Sequence, residues 1–239
     1  MVAMGKHGHR NWAVALLAIS AAAAIVLLIA VGPPAVLSRR HRLWQIVAVD
    51  ERTYELDAIG DELCRRNCAT DSRLLADAIQ AFRELPKRQK ESKGRVDLVI
   101  LRLRPSDGGK QLCTWLQSES SPEHRAEVLW FVRNAPYPEV ADCVAPLLDD
   151  ERGWPNVPGD KVQYLAYTVL MGHLKRLELP VPPGMPEAIG GDDPGQSATA
   201  ILWMKLFLAD NRVEIRRKAE AWYSNEVKRI EEQTKALRQ

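Results

Sequence analysis

The sequence contains no G-x-G-x-x-G, H-E-x-x-H or G-x-S-x-G motif. It therefore shows no glycine-rich cradle for a dinucleotide, no zinc-binding helix of the metalloprotease kind and no nucleophile elbow. Gly108-Gly109-Lys110 comes nearest to a phosphate loop and fails twice. The earlier glycine is missing, and Gln111 stands where a metal-binding hydroxyl is needed. There is no Asn-x-Ser/Thr sequon. There is little excess charge of either sign: 33 Lys and Arg stand against 31 Asp and Glu, a formal net charge of +2, so no basic field supports nucleic-acid binding.

Cysteine is scarce. Four in 239 residues, Cys64, Cys68, Cys113 and Cys143, are too few for a disulfide framework. Cys64 and Cys68 are one helical turn apart, but no second spaced pair accompanies them, so a zinc site is not predicted. All four are candidates for core thiols or for one or two disulfides. Asp57 and Asp61, four apart on a helix, are read as part of a solvated face in preference to a cation site, and Asp192 and Asp193, too few for a calcium loop, as turn residues. No metal or cofactor is expected.

What the chain does have is a long apolar run. Residues 12–31 carry no charge. As a helix they would span roughly 30 Å, the hydrocarbon thickness of a bilayer. Trp12, Leu16, Leu17, Ile25, Leu27, Leu28 and Val31 are the candidate anchor residues, and Gly32-Pro33-Pro34 would end the helix. The run is longer than a signal-peptide core. The expected fold class is all-α: one N-terminal transmembrane helix followed by an α-helical domain, a solenoid or bundle. The expected organisation is a basic flank over 1–11, the span over 12–31, a juxtamembrane segment over 32–55, a helical domain over 56–210 and a charged helix over 211–239. Lys6 and Arg10 ahead of the span favour an N-terminus inside and a single-pass membrane protein with its main domain outside the cytoplasm, although Arg39, Arg40 and Arg42 bear the opposite way.

Further along, apolar residues recur at helical spacing. Asp71 is placed to cap a helix carrying Leu74, Leu75, Ala78, Ile79, Phe82 and Leu85. The segment 95–104 fits both periods and is read as helix for want of a strand partner. Ser121 and Pro122 open another helix. His173 is expected as a hydrogen-bonded core histidine. The near-apolar stretch 197–210 is expected as a central core helix. Beyond it Ala219, Tyr223, Val227, Ile230, Thr234 and Leu237 form a stripe for packing or for a short coiled coil.

The helix HRAEVLWFVRN, the Pro-containing turn after it, the second helix VADCVAPLLDD and the restart KVQYLAYTVLMGHL resemble HEAT or armadillo-type helical repeats. The resemblance covers 121–177; the loop over 153–159 is long for a repeat junction, and no regular period precedes Ser121. It implies stacked antiparallel helices that offer a binding surface and no catalytic centre. The functional expectation is a membrane-anchored helical domain acting as a protein interaction or scaffold module. Its expected partners are the lipid bilayer, a protein and a second copy through 211–239. Two alternatives stand beside it: an enzyme with a site built from dispersed residues (the acids of 50–62, Cys64, Cys68 and the loop 179–195), and a helical spacer for oligomerisation.

Overall fold

The computed structural model describes residues 34–46, 56–85, 90–135, 137–153 and 160–239. Among these residues it contains nine α-helices: α1 (Pro34–Ile46), α2 (Leu56–Arg65), α3 (Ser72–Glu84), α4 (Lys90–Arg102), α5 (Gly108–Ser118), α6 (Pro122–Asn134), α7 (Val140–Val144), α8 (Val162–Arg176) and α9 (Pro194–Ala236). A 3-10 turn over Ala145–Asp149 follows α7. The described residues contain no strand; a single bridge joins Gly153 to Lys161.

Local chemistry sets several of these boundaries. The Asp71 carboxylate accepts the Leu74 N–H at 2.9 Å and starts α3. Ser121 accepts from His124 N–H at 3.5 Å, with Pro122 in the first turn of α6. Asp193 accepts from Gln196 N–H at 2.9 Å, ahead of the long α9. The ambiguous segment 95–104 lies in α4 as far as Arg102. The helix expected over 140–150 is divided, because Pro146 cannot donate to the ladder; α7 gives way to the tighter turn.

The helices pack as two rows. One runs α1, α3, α5, α7, and the other α2, α4, α6, α8; each helix touches the next in its row, and α3 with α4, α5 with α6 and α7 with α8 pair across the rows. Where α3, α5 and α6 meet, Phe82, Trp115 and Phe131 form an aromatic cluster with ring centroids 5.0 to 5.6 Å apart. The N-termini of α3 and α5 lie together: Ser72 Oγ donates to Asp107 at 2.7 Å, and Gln111 Nε2 donates to the Ser72 carbonyl at 3.1 Å. The C-termini of α4, α6 and α8 gather at this same edge, and α9, roughly 65 Å long, runs across it from α8 to α2.

The α9 strut holds this edge through the carbonyls that end the helices. Tyr223 donates to the Arg104 carbonyl at 2.9 Å, Lys218 donates to that of Glu178 at 2.9 Å, and Gln233 reaches Asp61 on α2. Beneath it Arg104 donates to the carbonyls of Leu103 and Asn134, and Arg176 to that of Arg133. Cations at helix C-termini are favourable, since the macrodipole is negative there. Burial pulls the guanidinium of Arg104 below its ordinary pKa, and the Tyr137 and Glu226 side chains partly offset it. Ala219 and Ile230 face the rows as the stripe over 211–239 predicts, but Asn211 is no boundary: one helix continues through it. The stretch 197–210 is not apolar-covered all round, for Leu202 is 60% and Leu206 58% exposed.

The fold class predicted from sequence requires correction. Among the described residues no helix is long and apolar enough to cross a membrane. The largely apolar α8 has 15 residues, roughly 22 Å of rise against the 30 Å needed. The 43-residue α9 is long enough but charged along its length. Residues 12–31, with Trp12, Leu16, Leu17, Ile25, Leu27, Leu28 and Val31, lie outside the described residues. The architecture described is helical without a transmembrane element, and the single-pass localisation with an extracytoplasmic domain is corrected with it, because it rested on that element alone. The segment read as juxtamembrane over 32–55 includes α1. Arg39 pairs with Glu84 at 2.9 Å and Arg42 with Asp77 at 2.8 Å, so α1 is the first member of its row.

Candidate functional site

The neighbouring helices α4 and α6 diverge enough to leave a groove of about 620 Å³. From α4 come Lys93, Gly94 and Asp97, and from α6 come Ala126, Glu127, Trp130 and Phe131; Phe82 of α3 completes the lining. The spacing 93, 94, 97 and 126, 127, 130 puts each set on one helical face. No other atom lies within 4 Å of where a side chain at Gly94 would begin, so the α4 wall is bare backbone there. Trp130 is 49% exposed, a large apolar side chain left in water beside an apolar floor.

The charges in the groove are unequal. The Lys93 ammonium lies 3.3 and 3.4 Å from the two Glu127 carboxylate oxygens and 4.1 Å from the Phe82 ring centroid. Asp97 Oδ1 is buried without a hydrogen-bond partner among the described residues. Burial pushes its carboxyl up to about 6; Lys93 pulls it back and Glu127 adds to the rise. A second recess of about 260 Å³ continues the groove past Lys93 and Glu127 to Arg83, Glu119 and His124. There Glu119 takes the Trp115 indole N–H at 2.9 Å and pairs with Arg83 at 3.4 Å.

Of the residues singled out in the sequence, Cys113 and Cys143 are brought together, the other described ones are not gathered into one site, and Asp50, Glu51 and Glu55 lie outside the described residues. Cys113 and Cys143 form a disulfide, Cα–Cα 5.6 Å, that staples α5 to α7. Cys64 is buried and Cys68 half-buried, both unbonded to each other. Burial and then Asp71 raise the Cys68 thiol, the opposite of what a reactive thiolate needs. Asp57 pairs with Arg102, Asp61 with Gln233 and Glu62 with Arg65 and Arg66. These acids belong to α2 at one end of the rows. The loop 179–195 packs on α8 at the other end, where Tyr167 donates to the Pro186 carbonyl at 2.8 Å and Lys175 pairs with Glu187. Among the described residues no group of three His, Cys, Asp or Glu side chains is placed to hold a metal ion.

Gly108 and Gly109 have a packing explanation. A Cβ on Gly108 would collide with the Tyr137 ring, and one on Gly109 with the Glu139 carboxylate. Tyr137 can then lie flat on α5 and donate to the Leu103 carbonyl at 3.1 Å. His173 is buried as predicted, but neither ring nitrogen has a partner among the described residues. The helix read from Ser121 and Pro122 contains Trp130 without singling it out; its position three residues after Glu127 and four after Ala126, on one helical face, was the signal available. Comparison with known protein families, with curated proteins and with solved structures finds no match for this chain.

Proposed function

We propose that this chain is a protein interaction or scaffold module built on stacked helical pairs of the HEAT or armadillo kind, with the α4–α6 groove as its docking surface. The observation that carries this reading is the half-exposed Trp130 above an apolar floor, flanked by charged residues. Tryptophan is enriched among side chains that dominate binding energies, and such residues sit in pockets ringed by polar groups. Stacked helical pairs present extended surfaces that take partners. A dispersed-residue enzyme is disfavoured, because its candidate groups stand at opposite ends of the rows.

A photo-crosslinking side chain placed at Ala126 should yield a discrete adduct in cells, and one placed at exposed Lys110 on the other row should not. Trp130→Ala should weaken the captured partner's binding by about tenfold or more. Equal crosslinking from both positions, or undiminished binding by the Trp130 variant, would count against the groove. A second reading, self-association through α9, is favoured by Leu202, Leu206 and Val213, which are 60%, 58% and 84% exposed.

A further inference from the structure

We infer that the α4–α6 groove takes an arginine side chain of a partner protein, its guanidinium stacked on the Trp130 indole and hydrogen-bonded to Asp97. This inference rests on the groove reading above and specifies its occupant. The first support is charge complementarity. Among the described lining residues two carboxylates, Asp97 and Glu127, face a single ammonium, Lys93, an excess of one negative charge. Lys93 engages Glu127 at 3.3 and 3.4 Å, whereas Asp97 Oδ1 has no donor among the described residues. Asp97 also lines the groove, and a cation brought beside its carboxylate favours the ionised form that burial disfavours.

The second support is the wall beside that acceptor. Trp130 offers an indole face, the best aromatic surface for a cation, and the groove already holds one cation over an aromatic ring, Lys93 over Phe82 at 4.1 Å. Arginine suits the remaining place better than lysine. Its planar head stacks on an indole while its N–H groups donate in the ring plane to a carboxylate, which a compact ammonium cannot do at once. The open backbone at Gly94 leaves room for the aliphatic stem. Burial lifts the Asp97 carboxyl towards neutrality and Lys93 offsets only part of that rise.

The test uses the full chain labelled with 5-fluorotryptophan, the Trp130 resonance being identified through Trp130→Phe. Titration with Nα-acetyl-arginine amide should move the Trp130 signal saturably. The uncharged isostere Nα-acetyl-citrulline amide should bind about tenfold more weakly, as should arginine amide to Asp97→Asn, whose fold is checked by circular dichroism. Glu127→Gln provides a second carboxylate variant with the same expectation. An unmoved Trp130 signal, equal affinity for citrulline, or unchanged affinity in both variants overturns the inference. If the Ala126 crosslink persists while arginine does not bind, the occupant is wrong and the docking surface stands; loss of both removes the groove reading itself.

Discussion

His173 places a titratable ring where neither nitrogen has a partner among the described residues. It is 2% exposed on α8, and burial, with a smaller contribution from Arg176, pulls its pKa down to about 4. In the unfolded chain the ring titrates near 6.5. Between these values the unfolded state binds the proton that the folded state refuses, so stability falls as pH drops through 6.5 towards 4. His173→Leu removes both the unpaired nitrogens and this linkage. Urea unfolding should show the variant more stable by about 1 kcal/mol at pH 7, with a wider margin at pH 5; a margin independent of pH would contradict the assignment. That His173 would be buried was legible from its apolar helical face. That it would lack a partner was not, because hydrogen bonding depends on what the neighbouring helices bring to it.

The helices themselves were largely readable, since each carries its own start signal and apolar stripe. Asp71 and Ser121 with Pro122 act within a turn of the backbone, so local sequence suffices to place their effects; Pro146 acts as locally, yet the helix expected over 140–150 ran through it. The α9 helix shows the limit. Its apolar first half reads as a core helix, yet only one side of it is covered. Ala200, Met204 and Leu208 are buried, while Leu202 and Leu206 face outward and Val213 continues the exposed line about two turns further on. These residues stand at steps of four and seven, one helical face. If that face joins two copies, light scattering should report a dimer for the full chain and a monomer for Leu206→Glu, since a charge in the middle of an apolar contact is strongly disfavoured. An unchanged mass in the variant, or a monomer from the outset, would leave α9 as a strut only.

Across the whole molecule, α9 ties one end of the rows to the other. Lys205 pairs with Asp149, Arg212 and Arg216 with Asp142, and further on Tyr223 and Gln233 reach the ends of α4 and α2. Each of the exposed ion pairs is worth little on its own. The burial of Ile215, Ala219 and Ile230 and the satisfied carbonyls are the larger contributions. Deleting residues 211–239 should therefore cost about 3 kcal/mol or more in denaturant unfolding, with the disulfide-stapled α5–α7 part persisting longest. Unchanged stability would show that the rows stand without the strut. The disulfide closes a loop with a sequence separation of 30 residues, a length for which about 3 kcal/mol of stabilisation is typical.

The amino-acid sequence by itself determined the helical class, most helix starts, the inward face of the last helix and the poverty of catalytic or metal-binding motifs. All of these follow from short-range periodicity and from residue types acting within one turn. Only the tertiary structure decided which cysteines pair, why Gly108 and Gly109 are glycines, and that Trp130 stands beside Asp97 and Glu127 in a groove. Each of those depends on two or three helices meeting, and single-sequence periodicity carries no record of which helix faces which. The long apolar run over 12–31 marks the same boundary from the other side. Its composition is a property of one segment, whereas the described architecture is a property of the packed helices and contains no element that spans a membrane.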